Sequence, residues 1–258
     1  MSDDNNSAVS KMTGLGRRAV AELGETVRFL AGVAAVWFVL VTFAFAAFHI
    51  PSESMQPSLQ VGDRVLVSKW AYGYSRHSLP LGMGYLLPES WSGRILGRLP
   101  ERGDVVVIRD PEQGINLIKR VVGLPGDTVE VRAGQLYLNG DAVPRDPLDV
   151  VRYRDHGGEV VQVAQYDETL PGGPVHVIYE RGDDYGLDNA GPFRVPAEHV
   201  FLMGDNRDRS QDSRARYGIG YVHTDQLVGR AETVLFTFAS CRREEGLICP
   251  PWRVWRGL

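Results

Sequence analysis

The sequence predicts a mostly β protein: an antiparallel β-sheet core with a smaller inserted β region, preceded by one N-terminal transmembrane helix. Three observations lead there. Residues 29–48 form an apolar run without a charge. After it, short apolar stretches alternate with Gly- and Pro-rich breaks, and helical periodicity is hard to find beyond the N-terminal fifth. The chain of 258 residues carries 29 glycines and 15 prolines, so it can bury a real core and still turn often. Its formal net charge of −4 gives no basic footprint, so no nucleic-acid partner is expected.

The apolar run "FLAGVAAVWFVLVTFAFAAF" comes first. Twenty residues at about 1.5 Å rise span roughly 30 Å, the hydrocarbon thickness of a bilayer. The rival reading is a cleavable signal peptide, with "AFA" at 44–46 as the cut site. Against it, the run continues past that triplet without a polar break. Lys11, Arg17, Arg18 and Arg28 precede the run, and the next basic residue after it is Arg64. The positive-inside rule then places the N-terminus in the cytoplasm and the body on the outer side of the cytoplasmic membrane. We expect a cytoplasmic tail at 1–26, polar and disordered over 1–14 with 17–28 either extending the anchor helix or lying in the interface, an anchor at 27–49, a core from 50–140 and 199–258, and the inserted β region at 141–198.

The body reads as strand and turn. "DRVLVSKWAY" and "GDVVVIRDP" are strand-like, and the segment from 115 to 143 holds three short strands. Asn139-Gly140 is the strongest hairpin signal in the chain. Further strands are expected near 160–164 and 175–179, then at "HVFLMGD" and "LVGRAETVLFTF". Residues 74–103 read as a long connection with some apolar surface. Cys241 and Cys249 sit eight apart in "CRREEGLIC" and suit a loop-closing disulfide outside the cytoplasm; two reduced thiols are the alternative.

For chemistry, the lysines stand out. They occur only at 11, 69 and 119 among 28 basic residues. Lys119 lies in the strand "NLIKRVVG", on a face with Leu117 and Val121. Burial disfavours the ammonium and lowers its pKa, and a neutral amine is a general base. Arginine cannot substitute, because it stays protonated. The ordinary reading is a lysine whose stem snorkels to water. A base needs a nucleophile, and "IPSESMQPSL" offers Ser52, Ser54 and Ser58 just beyond the apolar run. Its ordinary reading is a turn leaving the membrane. The six histidines are scattered singly, and H-E-x-x-H, C-x-x-C and G-x-S-x-G are absent, so neither a metal nor another cofactor is expected.

Together these segments resemble the bacterial type I signal peptidases, membrane-bound proteases with a Ser/Lys dyad. "IPSESMQPSL", "VGDRVLVSKWAYG", "RGDVVVIRDP", "LIKRVVGLPGD" and "GDNRDRSQDSR" match the family's motifs in order. The resemblance implies that Ser54 is the nucleophile and Lys119 its base. It implies that Ser52 helps form the oxyanion hole and that Ser210 hydrogen-bonds and orients the lysine. Ile50, Pro51, Leu59 and Ile118 match positions lining pockets for small side chains. Met55, beside the nucleophile, is expected either to dip into lipid or to fill a pocket wall. Gly204, Asp205, Asn206, Asp212 and Arg214 match residues that shape the site. One departure is "SRARYGIGYV", a residue longer after Arg214 than the family pattern.

The implied substrates are preproteins cut after small residues, at A-x-A-type sites. Membrane lipid is an expected partner, and transient contact with the export translocon a further one. Two other classes fit parts of the sequence. One is a membrane-anchored β-rich binding or assembly protein with an inactive site. The other is a narrow-specificity maturation protease of a conjugation system.

Overall fold

A computed structural model describes residues 3–79, 83–84, 86–88, 93–238, 244–249 and 253–258. The chain divides into two units, Met1–Ala44 and Phe45–Leu258. The first is one helix, α1 (Asp3–Ala44). It is helical across 3–14, expected to be disordered, and through 17–28, where extension of the anchor helix is one of the two readings. Its stretch Glu22–Ala44 is long and apolar enough to cross a membrane, and Phe29, Trp37 and Leu40 are exposed on it.

The helix ends earlier than the hydropathy suggests. Residues expected to complete the anchor form strand β1 (Phe45–His49) instead. β1 pairs antiparallel with β2 (Asp63–Ser68), Phe45 opposite Ser68 and His49 opposite Arg64. Hydropathy cannot tell a helix end from an apolar strand. What decides is the partner edge that β2 offers to the backbone of β1.

Antiparallel strands make up the second unit. Its large sheet adds β3 (Val105–Arg109), β4 (Asn116–Gly123), β12 (His199–Met203), β13 (Val222–His223), β14 (Leu227–Thr237) and β15 (Val254–Gly257). Their order is β1-β2-β14-β3-β4-β12-β13, with β15 also on β14. The four Val/Ile residues of β3 are buried on both faces. Val105 and Val107 join one cluster with Ile50, Met55, Leu59 and Ile118, while Val106 and Ile108 join another with Val121 and Leu202. That is the period of two expected of a strand with both faces covered.

Two smaller sheets complete the unit. β5 (Thr128–Arg132), β6 (Gln135–Leu138), β7 (Asp141–Ala142) and β11 (Ala190–Arg194) form one, and β8 (Arg145–Arg154), β9 (Val160–Thr169) and β10 (Val175–Glu180) the other. The expected boundary at 141 thus falls inside a sheet: the β5–β6 pair, read as core, sits with β7 and β11. In 74–103, Tyr74 bridges Ile95, and Leu86, Leu96 and Leu99 are exposed. Cys249 is disulfide-bonded; Cys241 lies outside the described residues.

The second unit is pinned by buried ion pairs. Arg207 grips Glu168 with both guanidinium nitrogens, one at 3.0 Å, and His176 lies 3.4 Å from the same carboxylate. Burial alone would raise the Glu168 pKa, but the Arg207 charge holds it well below the carboxylate range. Stability from this group is therefore present at neutral pH and lost as pH falls below the ordinary glutamate value. We predict that Glu168→Gln, which leaves Arg207 buried without its counter-charge, costs about 3–5 kcal/mol. Urea unfolding at pH 7 measures it, and the gap between wild type and variant should narrow toward pH 3.

Candidate active site

Ser54 and Lys119 reach one another from opposite ends of the molecule's logic: one from a turn, one from a strand. The turn follows β1. Ile50 N–H donates to Asp63 O at 3.0 Å and Gly62 N–H to Ile50 O at 2.9 Å, closing residues 50–63 into a loop. Within it, Leu59 N–H donates to Met55 O at 2.8 Å. Met55 and Leu59 are 0% exposed and anchor this loop in the core. Met55 therefore faces neither lipid nor an open cleft, and Leu59 lies equally deep. Ile50 and Ile118 are nearly as buried, while Pro51 is exposed.

Lys119 comes from β4, opposite Val106 of β3. Its Nζ lies 2.7 Å from Ser54 Oγ and donates to Ile118 O at 2.9 Å. Both side chains are buried, at 4% and 7% exposure. Burial lowers the lysine pKa to about 8, against the smaller opposing pull of Asp212 and Asp205. A substantial fraction of the amine is thus neutral near physiological pH and can accept the serine proton. Ser52 Oγ stands 3.4 Å from Ser54 Oγ.

The expected bond from Ser210 to Lys119 is not formed. Ser210 is buried, and its hydroxyl lies against the Asp212 carboxylate, which it helps to hold below its ordinary range. The Ile118 carbonyl holds the amine instead, because β4 already places that oxygen beside it. Ser210 does pack the site: a Cβ on Gly204 would overlap both Ser210 Oγ and Ser54 O. That close approach explains glycine at 204.

Three charged residues named from sequence have partners. Arg120 Nε and Nη2 clamp Asp205 at 2.8 and 2.7 Å, and Nη1 donates to Gly103 O at 2.7 Å. Arg214 clamps Asp212 with two bonds of 2.9 Å, and Asp212 also accepts Gly204 N–H at 3.0 Å. Burial would raise both aspartate pKa values; the paired guanidinium holds each below its ordinary range. These pairs are internal to the fold, not part of a solvated turn. The extra residue after Arg214 is absorbed outward, where Arg216 and Tyr217 are exposed.

Sequence reasoning missed Arg120, Glu53, Arg209 and Tyr153. Arg120 could have been found as the second basic residue in a strand otherwise apolar. Glu53 stands between the two serines. Its carboxylate accepts from His156 N–H and from Arg209 Nη1, the latter at 2.9 Å, and Arg209 also pairs with Asp155 at 2.8 Å. A cleft of about 550 Å³ is lined by Pro51, Ser52, Glu53, His156, Arg209 and Ser210 among others. A second cleft of about 580 Å³ is lined by Ser58, Tyr179 and Arg253 among others; neither cleft is lined by Ser54 or Lys119 themselves, and the first borders the pair through Ser52, Glu53 and Ser210.

Residues 23–236 match the family described as signal peptidase, peptidase S26. The chain belongs to this family. It is thus a serine protease of the signal peptidase I type, which removes signal peptides from preproteins. The signal peptidase I of Rickettsia typhi is 34% identical over 197 residues, covering 74% of this chain and 71% of that protein. That of Pseudomonas aeruginosa is 40% identical over 205 residues, covering 76% of this chain and 66% of that protein. A solved signal peptidase I from Enterococcus faecalis V583 is similar over 52% of this chain and 97% of its own, at 26% identity and a TM-score of 0.31. The family is membrane-bound, and the apolar part of α1 is consistent with its anchor.

Two outcomes follow from this packing. Gly204→Ala should lower kcat/KM for preprotein cleavage at least about 100-fold, since a displacement near 1 Å at reacting atoms costs that much; equal rates for wild type and variant would show that the turn yields freely. Lys119→Met should abolish cleavage yet stabilise the fold. The native amine releases its proton near pH 8 rather than 10.5. The folded state is therefore penalised by roughly 3 kcal/mol below pH 8, at 1.36 kcal/mol per unit. The variant's advantage in chemical unfolding should shrink from pH 8 to 10.5.

Proposed function

We propose that Ser54 is the nucleophile and Lys119 the general base of signal-peptide cleavage. The observation that carries this is the 2.7 Å approach of Lys119 Nζ to Ser54 Oγ in a buried setting. Neutral Lys119 takes the Ser54 proton as Oγ attacks the carbonyl before the scissile bond. The oxyanion meets the Ser54 N–H and the Ser52 hydroxyl. Lys119 then protonates the leaving amine, and a water that it activates releases the acyl group from Ser54. Each step uses one amine as base and then acid, so no third titrating group is needed.

Specificity for small residues follows from the depth of the site. The substrate runs extended past Pro51 and Ser52, adding main-chain hydrogen bonds to an exposed edge. Ile50 and Ile118 form the floor, with Met55 and Leu59 beneath them. A side chain larger than that of alanine would clash with this packed layer, so A-x-A-type sites are favoured. Gly204, Asp205, Asn206, Asp212 and Arg214 hold the frame, and Ser210 fills the space behind the nucleophile.

The anchor confines this chemistry to a membrane surface. Basic residues before the apolar segment and their absence up to Arg64 support a single pass in the cytoplasmic membrane, N-terminus inside and catalytic unit outside. The disulfide at Cys249 supports the same side, since disulfides persist in oxidising compartments. Preproteins held by their own apolar segments then meet the site in the plane of the bilayer, near lipid and the export translocon.

The test is cleavage of a preprotein by detergent-solubilised protein. Ser54→Ala and Lys119→Arg should both lose at least about 10³ of kcat/KM, because arginine keeps the charge but cannot act as base. Wild-type kcat/KM should rise with pH to a midpoint near the lysine value of about 8 and fall tenfold per unit below it. Near-normal cleavage by Lys119→Arg, or a flat profile down to pH 5, overturns the assignment.

A further inference from the structure

Asn206 bonds to both carbonyls that flank Ser54. Its backbone N–H donates to Ser54 O at 3.1 Å, and its Nδ2 donates to Glu53 O at 3.2 Å. Nδ2 also reaches Tyr153 Oη at 3.2 Å, so both hydrogens of the carboxamide nitrogen are used. A carbonyl only accepts, so it is the nitrogen of the carboxamide that faces Glu53. Asn206 is 0% exposed, and water does not compete for these bonds. Glu53 O takes a second bond from Gln56 N–H at 3.0 Å.

The geometry of the peptide carries this constraint to the other side. Cis bonds occur at Gln56–Pro57 and Gly191–Pro192, so the Glu53–Ser54 bond is trans. In a trans peptide the C=O and the following N–H point in opposite directions within one plane. Turning Glu53 O toward Asn206 therefore turns the Ser54 N–H away from it. Among the described residues, nothing accepts a hydrogen bond from that N–H, although Ser54 is only 7% exposed. Buried amides are nearly always bonded, so one left open beside a nucleophile is a donor waiting for an acceptor. The Glu53 side chain fixes the same unit from its far end, through His156 N–H and Arg209.

We propose that Asn206 is a positioning residue for oxyanion stabilisation: its carboxamide fixes the Glu53–Ser54 peptide plane so that the Ser54 N–H faces the developing oxyanion. This rests on Ser54 being the nucleophile. Asn206 touches neither the substrate carbonyl nor Lys119, so it acts only through the peptide it holds.

Two variants separate this role from mere packing. Asn206→Asp keeps the volume but puts an acceptor against the Glu53 carbonyl; Asn206→Ser keeps the backbone N–H and removes the carboxamide. Each should lower kcat about 100-fold, the usual effect of losing one oxyanion donor, with KM within twofold; Asn206→Ser, which adds no charge near Lys119, should leave the pH midpoint unchanged. A peptide aldehyde ending in alanine supplies a second readout. The Ser54 hydroxyl adds to its carbonyl, and the new oxygen occupies the oxyanion position. Its affinity should fall by a similar factor, while the matching peptide alcohol binds as before. Folded variants with wild-type kcat and aldehyde affinity overturn the inference, as does equal weakening of aldehyde and alcohol. Ser54→Ala is measured alongside: if it still cleaves, the nucleophile assignment fails; if it is dead while both Asn206 variants are normal, only the role of Asn206 fails.

Discussion

The site depends on taking one lysine amine out of water. An ammonium in solution is a poor base, and nothing about Ser54 alone makes it reactive. Burial at the β4 position, 4% exposed, changes the balance of the two protonation states. The serine sits where a depressed amine can reach it, and the Ile118 carbonyl keeps the amine from turning elsewhere. Two carboxylates nearby pull the other way. They do not win, because each is already committed to an arginine.

That commitment is the second constraint. Arg120–Asp205, Arg214–Asp212 and Arg207–Glu168 are buried pairs, each with additional bonds to backbone. Such pairs add little net stability compared with apolar packing, since desolvation offsets attraction. Their value here is placement. Asp212 holds the Gly204 N–H, Arg207 Nε donates to Gly204 O, and Arg214 donates to Arg207 O. The segment behind Ser54 is thus fixed on several sides by groups that would be costly to unpair.

Much of this was legible in the sequence, for stated reasons. β3, β4, β12 and β14 announce themselves by apolar runs between breakers, and the Asn139-Gly140 turn does close β6 onto β7. Lys119 stood out because the protein otherwise uses arginine. Other features were not legible. β8 carries Pro147 and several charges and reads as loop, and β15 is short and follows a Pro-rich stretch. Ion-pair partners such as Arg120 and Asp205 lie 85 positions apart, and no local pattern joins them. The Ser210 hydroxyl was expected on Lys119, but it lies against Asp212, while the amine bonds to Ser54 and to the Ile118 carbonyl.

The early end of α1 has a practical consequence for anyone trimming the chain to a soluble form. Hydropathy invites a cut before Ile50, where the apolar run stops. That cut would strip β1 from β2 and bare a row of backbone donors and acceptors along an edge flanked by Val65 and Val67. Exposed edges of that kind recruit other chains and clump. Starting at Phe45 keeps the bordering strand in place and spares the rest of the sheet that fate.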